Sequence, residues 1–466
     1  MKLEGKRALV IGAGKSGVAA ANALARSGAA VLLYDRKPGI ELDGDTLQFL
    51  EHCCAQLYLG GPEPDPSESF DLLVMSPGVP TDLPLVSRIT LAGATLIGEL
   101  ELAYQLGKGH YIAITGTNGK TTTTVLTGEI FRNAGRKTEV VGNVGLPVTQ
   151  KALEAEDDTY LITECSSFQL ETIQTFHPQI SALLNLTPDH LDRHKTLEEY
   201  GRAKARVYLN QDKSDYFIVN LDDPESCRFI EACPATVVPF SRKQELDLGA
   251  SVKNGMICMA DQEGTHQICS IRDVRIPGAH NLENALASTA IAWCSGIPAE
   301  VIARTLREFA GVAHRMEPAG ELHGVTFVND SKGTNPDASI KAIEAIEGGI
   351  VLIAGGYDKK SDYEDFIHAF GSKVRALVLL GKTADDIQNT AERLGYHTIL
   401  RARDMKESVE KAYAAAHPGD TVLLSPACAS WDMYSCFEER GEDFKSRVAQ
   451  LITTASQQVG SEEVRG

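Results

Sequence analysis

No apolar run in this chain approaches the roughly 20 residues needed to cross a bilayer, which argues against a membrane-embedded protein. Met1-Lys2-Leu3-Glu4-Gly5-Lys6-Arg7 leads straight into a short strand-like segment, Ala8–Ile11, without the long apolar region of a secretory leader. The ten cysteines include no C-x-x-C, only the adjacent pair Cys53-Cys54 and isolated singles. That pattern fits neither a zinc site nor a compact disulfide scaffold and predicts a reduced, cytoplasmic protein. Cations are in deficit: 45 Lys and Arg stand against 63 Asp and Glu, a formal charge of −18. Such a surface repels phosphate backbones outside a local basic patch, so no nucleic-acid partner is expected, while an anionic small molecule needs only a local cluster of cations. Short-period repeats and low-complexity segments are absent too. What remains is a chain of 466 residues, 43% hydrophobic and 23% charged, an ordinary globular composition with about three domains' worth of length.

The most informative segment is Gly116-Thr117-Asn118-Gly119-Lys120-Thr121-Thr122, which follows the apolar run Tyr111–Thr115. Small residues let successive backbone N–H groups converge on phosphate oxygens, a lysine meets the outer phosphates, and a threonine hydroxyl can hold Mg²⁺. Counting back from Lys120, the first glycine of the general pattern falls on Ile114, two residues before Gly116, so the loop is a shortened T-G-T-N-G-K-T.

Residues 7 to about 104 alternate strand-like and helical stretches, which predicts a parallel α/β sheet. Within them Gly12-Ala13-Gly14-Lys15-Ser16-Gly17 follows a strand and opens a helix, and Asp35 ends the next strand about 20 residues on, as a ribose-binding acid should. Alone, this fingerprint fits a nicotinamide dinucleotide, a uridine nucleotide or a ligandless Rossmann-like fold. With a second phosphate loop in the same chain, a ligase acting on a nucleotide-tagged substrate fits better than a dehydrogenase. Domains are expected at 1–104, 105–312 and 313–466: a Rossmann-like unit, a P-loop ATPase unit with a β-rich piece from Ala235 to Ile276, and a second Rossmann-like unit.

In the middle unit the strand Thr159–Thr163 ends in Glu164, where a Mg²⁺ ligand would be needed, although a surface glutamate is equally compatible with that position. Asp189 and His190, in Pro188-Asp189-His190-Leu191-Asp192, are candidates for the same metal site. Tyr200-Gly201-Arg202-Ala203-Lys204-Ala205-Arg206 reads on composition as a basic helix face.

These segments, with Gly142-Asn143-Val144-Gly145, Ser166 beside Cys165, Gly278-Ala279-His280-Asn281, His314-Arg315 and Asn329-Asp330-Ser331-Lys332, occur in an order that resembles the Mur ligase and folylpolyglutamate synthetase superfamily across nearly the whole chain. The run Leu424–Asp432, followed by Phe437–Phe444, is similar to that of the members that add D-glutamate. The Asn-Pro-Arg-type motif of members that add a diamino acid is not found.

The resemblance implies an ATP- and Mg²⁺-dependent amide ligase that adds D-glutamate to UDP-N-acetylmuramoyl-L-alanine through an acyl phosphate, acting as a monomer in cytoplasmic peptidoglycan synthesis. It assigns catalysis to Lys120, Glu164, His190 and Lys204, and metal binding to Thr121, Glu164, His190 and Lys204, the lysine carbamylated. ATP contacts fall on Gly116, Thr117, Asn118, Gly119, Lys120, Thr121, Thr122, Asn281, Arg315 and Asp330, with the C-terminal unit closing over the nucleotide. UDP-substrate contacts fall on Ser16, Asp35, Arg36, Gly78, Asn143 and Ser166. D-Glutamate falls to Thr334, Ser430, Phe437 and a lysine after Gly355-Gly356, for which Lys360 is preferred to Lys359. Read by residue alone, Asn281 is equally a helix-capping residue and Arg315–Asp330 a surface pair. Other superfamily members, a P-loop nucleotide switch and a dehydrogenase are the rival readings. Cys165 and Cys428, inside these motifs, suggest sensitivity to thiol reagents.

Overall fold

The computed structural model describes residues 1–37, 50, 56–65, 67–276, 278–357 and 361–463. The predicted Lys360, its alternative Lys359 and the pair Cys53-Cys54 lie outside the described residues. Packing divides the chain into two compact units: Met1–Leu186 with Thr196–Asp273 and Glu283–Arg307, and Thr187–Lys195 with Val274–Leu282 and Glu308–Gly466.

The first unit contains two sheets. β1 (Arg7–Ile11), β2 (Ala30–Asp35), β3 (Gln56–Leu59), β4 (Leu72–Met75) and β5 (Thr95–Gly98) form an all-parallel sheet in the order β3-β2-β1-β4-β5. The helix Lys15–Arg26 covers it with Ala20, Ala21, Ala23 and Leu24, and its alanines permit close helix–sheet approach. At Gly17 the approach is closest, since a Cβ there would fall 1.7 Å from the Gly12 carbonyl oxygen.

The second sheet comprises β6 (His110–Thr115), β7 (Thr138–Gly142), β8 (Tyr160–Glu164), β9 (Ile180–Leu183), β10 (Tyr216–Asn220), β11 (Thr236–Ser241), β12 (Gly249–Lys253), β13 (Met256–Asp261) and β14 (Gly264–Ser270). Its order is β14-β13-β12-β11-β10-β9-β6-β8-β7, parallel from β7 to β12 and antiparallel across the last three strands. The β-rich segment anticipated at 235–276 is this edge. Asn254-Gly255 turns β12 into β13 with φ of 51° and 74°, the left-handed pair that a two-residue hairpin demands.

The second unit holds β15 (Glu317–Leu322), β16 (Val325–Asn329), β17 (Ile350–Ala354), β18 (Val374–Leu379), β19 (Ile399–Arg401) and β20 (Thr421–Leu424), in the order β15-β16-β20-β17-β18-β19. All pairs are parallel except β15–β16. β17, Ile-Val-Leu-Ile-Ala, is wholly buried and feeds two cores, Ile350 and Leu352 into one and Val351 and Ile353 into the other. That continuous apolar run is what a sheet covered on both faces requires. β15 was not apparent from sequence because Pro318 and Gly320 interrupt its pattern; it is an edge strand with a register shift at that point, where proline is tolerated. Among the described residues no helix is long and apolar enough to cross a membrane.

Candidate active site

β6 delivers the chain to the glycine loop, and the loop opens directly into the helix Lys120–Asn133. Gly116 has φ +149° and Gly119 +82°, and a Cβ on Gly119 would meet Asn284 Oδ1 at 2.3 Å. The loop is pinned from the segment just after β9: Thr117 N donates to Asn185 O at 2.9 Å and Asn118 N to Asn185 Oδ1 at 2.8 Å. Lys120 folds back over it, Nζ donating to Gly116 O at 2.9 Å and Thr117 O at 2.7 Å. An ammonium held at a convergence of loop amides and a helix N-terminus suits a polyphosphate.

Glu164, at the carboxyl end of β8, is 2% exposed, so the surface-glutamate alternative is overturned. Its Oε2 accepts from the Thr121 hydroxyl at 2.7 Å and its Oε1 from Asn143 Nδ2 at 2.8 Å. The adjacent Gly142 (φ +106°) is required because a Cβ would fall 2.3 Å from the Glu164 carbonyl. A hydroxyl and a carboxylate beside a phosphate loop are the hard oxygen donors that Mg²⁺ takes, and this cation ordinarily completes its shell from phosphate and water, so the residues present fit it. Among the described residues no group of three or more His, Cys, Asp or Glu forms a fuller metal shell.

Lys204 corrects the reading of its segment as a basic face. The side chain is 1% exposed, donates from Nζ to Gly116 O at 2.7 Å and lies 4.5 Å from the centroid of the Tyr200 ring. Arg206, two residues on, is likewise turned inward onto the carbonyls of Leu170 and Ile173. Ser166 caps the short helix Ser167–Glu171 in a reciprocal box with Gln169.

In the first sheet, the Ser76 hydroxyl donates to Gly12 O at 3.0 Å, and Asp35 Oδ2 accepts from Ala13 N at 2.8 Å. Asp35 therefore closes the glycine loop from the end of β2. Ser16 lies in the first turn of the following helix, Arg36 is exposed beyond β2, and a Cβ on Gly78 would meet nothing within 4 Å.

In the second unit His190 has φ +54° and precedes the helix Leu191–His194; its amide donates to Asp189 Oδ1 at 3.0 Å, while Asn335 Nδ2 donates to Asp189 Oδ2 at 3.3 Å. Asn281 sits in the first turn of the helix Ala279–Cys294. Its neighbour His280 is held neutral, its pKa driven down to about 3 by burial and by the charges of Arg315 and Lys341. Arg315 and Asp330 approach to 3.5 Å, but the Asp330 side chain is 1% exposed, which overturns the surface-pair alternative. Burial pushes the Asp330 carboxyl up against the opposing pull of Arg315 and the Ser425 hydroxyl, which donates at 2.7 Å. Ser430 is buried, and Phe437 lies with Lys332 Nζ 4.8 Å from its ring centroid. Thr334 follows Gly333 in the turn after β16.

Three polar groups were not singled out from sequence. Asn185 and Asn284 brace the phosphate loop, and no spacing rule marks a lone asparagine. Arg440, 2% exposed, donates to Ser331 Oγ and O, to Cys428 O and to Ala429 O at 2.8–3.3 Å. It thereby ties the loop before Ser430 to the turn after β16. The thiol-sensitivity expectation is not supported by the geometry: Cys165 and Cys428 are buried and burial pushes both thiols up, leaving little thiolate.

Residues 6–98 match the family described as Mur ligase MurD-like, N-terminal domain; 114–292 match Mur ligase middle domain; 314–428 match Mur ligase, glutamate ligase domain. The chain is 48% identical over 453 residues to the UDP-N-acetylmuramoylalanine–D-glutamate ligase of Caldanaerobacter subterraneus subsp. tengcongensis, covering 97% of this chain and 100% of the relative. It is 44% identical over 452 residues to the ligase of the same name from Clostridioides difficile, with 97% and 100% covered. Among solved structures, the fold is similar to that of the UDP-N-acetylmuramate-alanine ligase MurC of Thermotoga maritima, TM-score 0.58 at 18% identity, covering 96% of this chain and 99% of that one. It is also similar to the MurF ligase of Thermotoga maritima in complex with ADP, TM-score 0.58 at 17% identity, covering 96% of each chain. The chain belongs to the Mur ligase family, and within it to the group of UDP-N-acetylmuramoylalanine–D-glutamate ligases.

Proposed function

We infer that the protein is an ATP-dependent ligase that joins D-glutamate to UDP-N-acetylmuramoyl-L-alanine in peptidoglycan synthesis. The observation that carries this reading is end-to-end similarity to D-glutamate ligases, 48% identity over 97% of the chain. A carboxylate does not condense with an amine in water at neutral pH, because its oxygen is a poor leaving group. Transfer of the ATP γ-phosphoryl group to the alanine carboxylate gives an acyl phosphate and ADP. The D-glutamate amine then adds to the carbonyl carbon, loses a proton, and phosphate leaves as the amide forms. Both steps gather negative oxygens, so the protein's work is positioning and charge neutralisation.

Lys120 and the amides of Gly116–Thr122 are the groups proposed to hold the outer phosphates. Thr121 and Glu164 would hold Mg²⁺, which when bound neutralises phosphate charge, and His190 with a carbamylated Lys204 would support a second cation. Asn281, Arg315 and Asp330 are the nucleotide contacts proposed from the second unit. Ser16, Asp35, Arg36, Gly78, Asn143 and Ser166 are those for the UDP substrate, and Thr334, Ser430 and Phe437 with Lys360 those for D-glutamate. The same reading makes the protein a cytoplasmic monomer; all eight described thiols are free, and no helix among the described residues is long and apolar enough to cross a membrane.

The test is ADP release with UDP-N-acetylmuramoyl-L-alanine, ATP and Mg²⁺, adding D-glutamate, L-glutamate or neither. Release that requires D-glutamate, with a product heavier by one glutamyl residue, is the expected result. Release indifferent to the amino acid would favour a nucleotide switch and sink the reading.

A further inference from the structure

Three loops at the carboxyl ends of parallel strands β17, β18 and β20 are bonded to one another. Gly355 N donates to Pro426 O at 2.9 Å and Tyr357 N to Ala429 O at 2.8 Å; Gly356 N donates to Thr383 Oγ1 at 3.0 Å; Lys382 N donates to Asp432 Oδ2 at 2.9 Å. Glycines make the junction feasible, since a Cβ on Gly356 would lie 2.3 Å from Ala429 O and one on Gly381 2.4 Å from Asp432 Oδ2. In open parallel α/β sheets ligands bind outside the carboxyl ends of the strands where the chain order reverses, and β20 sits between β16 and β17 at such a reversal.

On this fixed platform stand two exposed rings and a cation. Tyr357 is 37% and Trp431 61% exposed, with ring centroids 5.6 Å apart. Lys382 Nζ lies 6.0 Å from the Tyr357 centroid and makes no ion pair among the described residues. The Asp432 carboxylate beside it is engaged by the Lys382 amide. A chain of net charge −18 repels an anionic amino acid unless a local cation offsets the field. Lys382 is such a cation, one loop away from Ser430.

We propose that Lys382, set beside the Tyr357–Trp431 pair, is a specificity determinant for the incoming amino acid. Its ammonium meets the extra negative charge that separates a dicarboxylate from a neutral amino acid, and the two rings wall the methylene chain. This rests on the ligase reading above. It is distinct from the contacts proposed at Thr334, Lys360, Ser430 and Phe437, because it concerns charge selection at the entrance and not the hold on the amino acid once bound.

The experiment compares the full-length protein with Lys382→Met, Lys382→Arg, Lys382→Glu and Trp431→Ala, titrating D-glutamate and D-glutamine at saturating ATP and UDP-N-acetylmuramoyl-L-alanine. Lys382→Met should raise the D-glutamate KM by about tenfold. The KM values for ATP and the nucleotide substrate, and kcat, should stay within about twofold. Its KM should lose the salt dependence of the parent, and the preference for D-glutamate over D-glutamine should fall. Lys382→Glu should exceed it, Lys382→Arg should restore the parent values, and Trp431→Ala should raise the KM severalfold for both amino acids. A D-glutamate KM and salt dependence unchanged in Lys382→Met would overturn the proposal while D-glutamate-dependent turnover of the parent left the ligase reading standing. A parent indifferent to D-glutamate would overturn both.

Discussion

The ammonium of Lys204 lies 2.7 Å from the carbonyl oxygen of Gly116, the residue that opens the phosphate loop. A buried cation is costly unless its donors are used, and this one is braced by a loop carbonyl and by the face of the Tyr200 ring. Helix Leu197–Ala205 is thus coupled to the shape of the loop as well as contributing a chemical group to its neighbourhood.

Lys204→Ala is expected to lower turnover by about 100-fold or more, the scale of losing one fixed charge at a phosphoryl-transfer site. If the lysine works as a carbamate, added formate or acetate will restore part of the rate in this variant and none in the parent. Steady-state ADP release with a carboxylate titration checks both. Turnover of Lys204→Ala at the parental rate would remove the residue from the mechanism.

Glu99 and Glu101 share the helix Glu99–Leu106 but respond to acid in opposite senses. Burial raises the Glu99 carboxyl, against hydrogen bonds from Thr149, and its Oε2 has no partner among the described residues. Burial also raises Glu101, but Gln105, Thr175 and the amides of Gln174 and Thr175 outweigh it and hold that carboxyl below the ordinary 4.5. Glu101 therefore contributes stability above about pH 4.5 that is lost as pH falls through its lowered folded value. Glu99 costs stability increasingly as pH rises from 4.5 toward its raised folded value. In thermal melts across pH, Glu101→Gln should lose most at neutral pH, whereas Glu99→Gln should gain on the parent as pH rises. Parallel curves for both variants would contradict the assignment.

Arg440→Met should destabilise the second unit by at least about 2 kcal/mol, because truncation strands the buried carbonyls of Ser331 and Cys428. Arg440→Lys should recover only part of this, since a point ammonium cannot bridge acceptors that a planar fork spans. Urea unfolding measures the loss, and an accompanying rise in the D-glutamate KM is expected because the Cys428–Ser430 loop is released.

Alkylation of the native protein with iodoacetamide, mapped by mass spectrometry, should leave Cys165 and Cys428 unmodified while partly exposed Cys436 reacts. In denaturant all three should label. Rapid native labelling of Cys428 would mean that its loop opens far more often than its contacts with Tyr363 and Thr383, each 3.2 Å away, suggest.

The sequence by itself determined what repeats locally. Glycine spacing, a lysine and a threonine after an apolar strand mark a phosphate loop because a tight turn of converging amides needs those residues in that order. β-Branched runs such as Ile350–Ala354 mark buried parallel strands for an equally local reason. Burial and partnership were decided only by the tertiary structure. Lys204 reads as surface charge until the fold brings its Nζ onto the Gly116 carbonyl, and nothing in the sequence marks Arg440 until the turn after β16 and the loop after β20 surround it. Asn185 and Asn284 gain their roles from chain segments 67 and 161 residues away, brought together by sheet order and helix packing. A one-dimensional pattern carries the chemistry of a residue, whereas its charge state and hydrogen bonds depend on the dielectric and the acceptors that only packing supplies.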